Sequence, residues 1–192
     1  MESNLPERSV AMRLVAGEEH YEQVISAVLG AQCSVWIATA NLKDLMVESD
    51  QAGLRRLGRK SSHRPILEML DDLTEKKVEL RILHSGVPSR SFRETFDKHP
   101  RLISGGLQLR LCPRMHMKLV IVDGEFLYLG SANWTGAGLG AKASTRRNFE
   151  LGIITRDPRL LDEVQAMYER IWQGTECKAC KRRDVCEDPL DG

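Results

Sequence analysis

HMKLVIVDGEFLYLGSANWTGAGL, residues His116 to Leu139, is the stretch on which the reading of this chain turns. Residues 117–122 and 126–129 are apolar runs with Asp123-Gly124 between them. Asp-Gly between two such runs is among the strongest hairpin-turn signals a sequence offers. Within that hairpin falls the spacing H-x-K-x4-D-x6-G-S-x-N, carried by His116, Lys118, Asp123, Gly130, Ser131 and Asn133. It occurs once in the chain.

Working outward, helical and strand periods alternate. Tyr21, Val24, Ile25 and Val28 form a helical stripe within residues 18–32, and residues 34–40 (SVWIATA) read as a buried strand. Pro65 opens a second helix with Ile66, Leu67, Met69, Leu70 and Leu73 on its apolar face. Strands are expected over 78–83, 107–111 and 151–155, with a helix near 91–98 and another beginning at Pro158. The expected class is α/β: a mixed, mainly parallel sheet with helices on both faces. Residues 1–174 would form this domain, and 175–192 a short Cys-rich tail.

The 192 residues are 42% apolar and 29% charged, a soluble globular composition. A net charge of +1 gives no global basic field, so a nucleic-acid partner would have to meet a local patch. No apolar run reaches the ~20 residues that span a bilayer, and residues 1–13 hold no signal-like apolar stretch. A cytoplasmic protein without a membrane anchor is expected. Five cysteines, an odd number, suit a reducing compartment better than a disulfide framework.

The block has chemistry in it. His116 can be nucleophile, acid or base at neutral pH. Lys118, two residues on, would project to the same face of a strand. Its ammonium and the Asn133 amide can hold phosphate oxygens, and Ser131 offers a hydroxyl and a backbone N–H to the same anion. Glu150 is placed to accept from the second imidazole nitrogen and fix its tautomer.

The segment resembles the HKD motif of the phospholipase D superfamily, and Asn148-Phe149-Glu150 resembles that family's trailing Asn/Glu element. The resemblance implies that His116 attacks phosphorus to give a phosphohistidine, with no catalytic metal. Lys118, Ser131 and Asn133 would hold the phosphate and Glu150 would orient the imidazole, while Asp123 would be an orienting or structural member of the set. In-line displacement puts entering and leaving groups on opposite sides of phosphorus. One His116 cannot serve both, so a homodimer with a composite site is expected, as in single-motif members of the family.

Two further segments bear on function. Residues 42–64 read as a long irregular segment, with Arg55, Arg56, Arg59 and Lys60 as candidate substrate-binding cations on a flap. Near the C-terminus Cys177, Cys180 and Cys186 form C-x2-C-x5-C, a pattern with metal-ligand spacing that resembles the C-terminal triplet of iron–sulfur RecB-like nucleases. The helix from Pro158 should return the chain to the catalytic edge, where Cys112 is the favoured fourth ligand and His99 the alternative. Zinc, a [4Fe–4S] cluster and free thiols all remain open. A nuclease acting on DNA or RNA is the leading expectation, alone or in a larger assembly. A phospholipase and a non-catalytic nucleic-acid-binding subunit are the other readings.

Overall fold

The structure is a computed structural model and describes residues 7–48 and 63–190. Nine strands and four helices follow in the order β1 (Met12–Ala16), α1 (Ser26–Leu29), β2 (Ser34–Thr39), β3 (Met46–Glu48), β4 (His63–Pro65), α2 (Ile66–Glu75), β5 (Glu79–His84), α3 (Arg90–Phe96), β6 (Leu107–Leu111), β7 (Leu119–Val122), β8 (Phe126–Gly130), β9 (Leu151–Thr155) and α4 (Pro158–Trp172). A wider π-type turn over His20–Ile25 runs directly into α1. Arg55, Arg56, Arg59 and Lys60 lie outside the described residues. Strands β3 and β4, which pair as a small antiparallel sheet, stand on either side of them.

The main sheet has seven strands in the order β1-β9-β8-β7-β2-β5-β6. It is mixed, as expected, but not mainly parallel: only β2–β5 and β5–β6 pair in parallel, and the other four neighbours are antiparallel. Tight turns and edge pairing produce this balance. The Asp123-Gly124 turn makes β7–β8 a hairpin, with φ of 55° and 67° at the two residues. Strand β1, which the sequence periodicity does not announce, adds antiparallel to β9 at the edge.

Helices cover both faces. On one, Val24, Ile25 and Val28 join Leu67, Leu70 and Phe92 over inward residues such as Val35, Ile37, Ile82 and Val120. On the other, α4 lays Leu161, Tyr168 and Trp172 over Ala38, Leu83, Ile121 and Leu127. Tyr168 stacks on both Trp36 (5.3 Å) and Trp172 (5.9 Å), which fixes where the helix ends.

Strand direction creates the functional edge. Strands β7 and β9 run against the rest, so the carboxyl ends of β1, β2, β5, β6 and β8 meet the amino ends of β7 and β9 along one side. Ligands in open α/β sheets gather at such carboxyl ends. The residues around Asp123 and Cys33 lie at the opposite side, where Asp123 N–H bonds Ser34 O at 2.9 Å.

Candidate active site

His116 and Lys118 do not lie on a strand; they occupy the extended segment that leads into β7. The two-residue spacing still brings them together. Lys118 Nζ lies 3.3 Å from His116 Nδ1 and 3.2 Å from Nε2, and donates to the His116 carbonyl at 2.8 Å. Near-equal distances to both ring nitrogens place the ammonium against the ring rather than on one lone pair, so the imidazole nitrogens remain available to a substrate. Burial holds Lys118 below the ordinary lysine value, and Glu150 opposes that shift. His116 itself is exposed.

Ser131 has a different role from the expected one. Its backbone N–H bonds Leu151 O at 3.0 Å. Its hydroxyl donates to the Glu150 carboxylate and accepts from Leu151 N–H at 3.1 Å. Both of its donors are therefore engaged with the start of β9, and neither is left for a substrate anion. Glu150 in turn does not hold the His116 imidazole. Its two oxygens take the Ser131 hydroxyl and the Asn148 amide, the latter at 3.0 Å. The pair acts as a clamp between β8 and β9 that puts a negative charge near Lys118.

Asn133 faces the site from the loop after β8. Its Oδ1 accepts from Ala40 N–H and Asn41 N–H, each at 3.1 Å, and lies 3.4 Å from Thr39 Oγ1. Thr39 Oγ1 also accepts from Trp134 N–H at 2.9 Å. With the amide oxygen fixed against the end of β2, the Asn133 NH2 is left as a positioned donor.

Asp123 is at the far end of β7. A four-residue strand at ~3.3 Å per residue puts it about 13 Å from the start of that strand. Its carboxylate accepts from the N–H groups of Gln32 (2.9 Å), Cys33 (2.7 Å) and Ser34 (2.8 Å). Burial pushes its pKa up, but these three bonds outweigh that and hold it below the ordinary aspartate value. Asp123 ties the hairpin turn to the start of β2, at the side of the sheet remote from His116.

Several residues support the site from positions to which the sequence assigned no role. Gly130 and Gly152 pair across β8–β9, and a Cβ on either would run into the Tyr128 ring or hydroxyl at 2.4 or 2.3 Å. The two glycines make room for Tyr128, whose hydroxyl accepts from Ala132 N–H at 3.4 Å beneath the Ser131 turn. Burial raises that phenol to about 12. Ser85, at the end of β5, donates to Ala40 O at 2.8 Å and lines the groove beside His116. The same groove is bordered by Arg114 and by Ala179, Lys181 and Arg182 of the tail.

The cysteines divide by edge. Cys33 is exposed at the side remote from His116. Cys112, Cys177, Cys180 and Cys186 all line one cavity, at the end of α4. As their thiols stand, no three His, Cys, Asp or Glu side chains among the described residues converge on a common ion position. His99, the alternative ligand, is paired with Asp71 at 3.3 Å instead.

Residues 24–172 match the family model of the cardiolipin synthase, PLD-like domain. The chain belongs to the phospholipase D superfamily. A mitochondrial cardiolipin hydrolase of Chlamydomonas reinhardtii is 27% identical over 107 residues, covering 56% of this chain and 45% of that protein. The chain spans under half the length of the curated relatives it matches. Among solved structures, NucT from Helicobacter pylori superposes with a TM-score of 0.59 at 17% identity, covering 84% of this chain and 95% of that one. Nuc from Salmonella typhimurium, a phospholipase D family member, gives 0.57 at 17%, covering 85% and 95%. At these identities the likeness is one of fold.

Proposed function

We propose that this phospholipase D superfamily member is a phosphodiesterase that cleaves nucleic acid through a phosphohistidine, without a catalytic metal. His116 attacks phosphorus, and the leaving oxygen departs on the opposite side with a proton from a second histidine. Water then displaces His116 from phosphorus, the second histidine taking its proton. Lys118 and the Asn133 NH2 hold the non-bridging oxygens, roles for which a mobile cation and a fixed donor are suited. The Ser131–Glu150 clamp holds β8 and β9 at the spacing these donors need.

The observation that carries the nucleic-acid reading is the groove beside His116, bordered by Arg114, Lys181 and Arg182. Cations in a row beside a phosphate-cleaving centre suit a polyanion that extends beyond the scissile bond. Arg55, Arg56, Arg59 and Lys60 would add to this surface. A second reading, a phospholipid phosphodiester, is favoured by the cardiolipin-directed names of the family model and of the algal relative.

The second histidine would come from a second copy of the chain, since the motif occurs once. An apolar strip beside the site supports that partner. Met12 and Leu14 of β1 and Leu151 of β9 are 55%, 60% and 56% exposed, and register puts them on one face of the sheet edge. Phe149, next to Glu150, is fully exposed.

The test is cleavage of labelled single- and double-stranded DNA and RNA, with cardiolipin vesicles in parallel, in excess EDTA. Cleavage of a nucleic acid that survives chelation and disappears in His116→Ala is the expected result. Turnover of the lipid alone would shift the function to the second reading. His116→Ala activity within about tenfold of wild type would overturn the nucleophile assignment.

A further inference from the structure

We propose that Cys112, Cys177, Cys180 and Cys186 form a four-thiolate metal centre that fastens the tail to the segment carrying the catalytic histidine. The proposal is independent of which phosphodiester is cleaved.

Four of the five cysteines reach a single cavity of about 40 Å³ although 65 positions separate Cys112 from Cys177. That is several times the space one water needs, and four sulfurs line it as metal ligands would. The fifth, Cys33, is at the opposite side of the sheet.

Local backbone supports the same reading. Arg182 N–H donates to Cys180 Sγ at 3.4 Å, two residues along. An N–H directed at sulfur from two residues on stabilises the thiolate a metal requires. The chain also turns tightly through the C-x2-C, with Cys180 N–H on Cys177 O at 3.1 Å. The cavity's carboxylates already have cations: Glu176 pairs with Arg170 at 2.6 Å and Asp188 with Arg110 at 3.8 Å. The thiols are therefore the donors left for an ion. A staggered change in χ1 moves a cysteine sulfur by about 3 Å, which is the freedom these thiols have to approach one another.

Energetics supply the reason for such a centre. Residues 173–190 contain no strand and no helix longer than three residues. Val185 is 62% exposed, and Leu190 packs on Gly174, whose φ is 75°. A segment with so little apolar burial does not repay the conformational entropy of ordering, and metal binding is a common replacement for a core. The placement matters to the site as well. Cys112 is four residues before His116, Arg182 donates to Pro113 O at 3.2 Å, and Ala179, Lys181 and Arg182 form one wall of the His116 groove.

The centre can hold one zinc ion or one iron–sulfur cluster, and a single preparation separates them. The full chain is purified without oxygen from cells supplied with both zinc and iron. Its metal and sulfide are then measured, its visible spectrum recorded and its thiols titrated. A colourless protein with one zinc per chain identifies zinc. Iron with matching sulfide and a broad visible absorption identifies a cluster. In either case four of five thiols should resist modification until the protein is denatured, and Cys112→Ser and Cys180→Ser should lose the metal while Cys33→Ser retains it. Metal below about a tenth of an equivalent, with all thiols reacting in the folded wild-type protein, overturns the proposal. Full metal retention in Cys112→Ser overturns the four-cysteine assignment. If a serine variant does not fold, the wild-type titration still decides.

Discussion

Replacing Asp123 with alanine should lower stability and spare turnover. The carboxylate accepts three backbone N–H groups at 2.7–2.9 Å, from Gln32, Cys33 and Ser34. A hydrogen bond to a charged group contributes about 1.5–3 kcal/mol. One carboxylate shared among three donors gives each bond less than that, so ~3 kcal/mol is a fair figure for the set. Alanine must also adopt φ 55°, which adds about 1 kcal/mol. In a domain of this size a loss of ~4 kcal/mol lowers Tm by roughly 8–16 °C. Asp123→Asn keeps one acceptor oxygen and tolerates the left-handed turn, and should lose about half as much. The effect has a pH signature. Because the folded pKa lies below the unfolded value of about 3.9, the contribution is complete above that value and disappears as pH falls through the folded pKa. The Tm gap between wild type and Asp123→Ala should thus be constant from neutral pH down to about 5 and narrow in more acid solution, where the strain of alanine at φ 55° is what remains. Thermal melts across pH, with turnover measured per folded molecule, provide the assay. An unchanged Tm together with turnover reduced a hundredfold would refute the reasoning and return Asp123 to the chemistry.

Gly152→Ala puts a methyl carbon 2.4 Å from the Tyr128 ring, so it should destabilise the β8–β9 pair by about 1–3 kcal/mol and reduce activity; Gly152→Ala/Tyr128→Phe should recover neither, since the ring itself is the obstacle. Glu150→Gln removes the charge that opposes the burial-driven lowering of the Lys118 pKa, so the basic limb of the kcat/KM profile should move to lower pH; a limb that stays in place would detach Lys118 from it. Leu14→Asp combined with Leu151→Asp should give a soluble, folded monomer without activity, read by sedimentation alongside the assay; an active monomer would exclude the composite site. Neutralising Arg55, Arg56, Arg59 and Lys60 together should raise KM for a polyanion and flatten its salt dependence with little change in kcat.

Much of the fold was legible because its strong signals are local. Residues 107–111 and 151–155 carry their strands at the expected bounds and α4 begins at Pro158 as expected, since apolar period, proline and turn chemistry agree there. Strand β1 escaped notice for a physical reason. Met12 and Leu14 are exposed on an edge, so MRLVA lacks the polar–apolar alternation of a half-buried strand. The balance of parallel and antiparallel pairs was also out of reach, because it follows from where β1 and β9 add to the sheet. That Cys112 and the three tail cysteines line one cavity could be anticipated, since helix length and strand direction set which edge the chain returns to.

The site residues show what a fixed spacing does and does not encode. The motif's offsets measure the hairpin: four residues of β7, a turn, five of β8. A residue one strand beyond His116 and Lys118 must therefore lie at the opposite side of the sheet, and one two strands beyond must return. Asp123 is separated from the pair by one strand, and it anchors the remote turn. Ser131 and Asn133 are separated by two, and Glu150 stands at the amino end of the next strand, so all three come back to the histidine. Edge membership thus follows from the number of strands crossed, which the sequence supplies. Role does not, because hydrogen-bond partners come from other strands. Ser131 gives both its donors to Leu151 and Glu150, and Asn133 gives its oxygen to the end of β2. Among the motif's polar groups, Lys118 and the Asn133 NH2 are the ones the proposed reaction would use with His116, and the rest of the spacing holds those three in place.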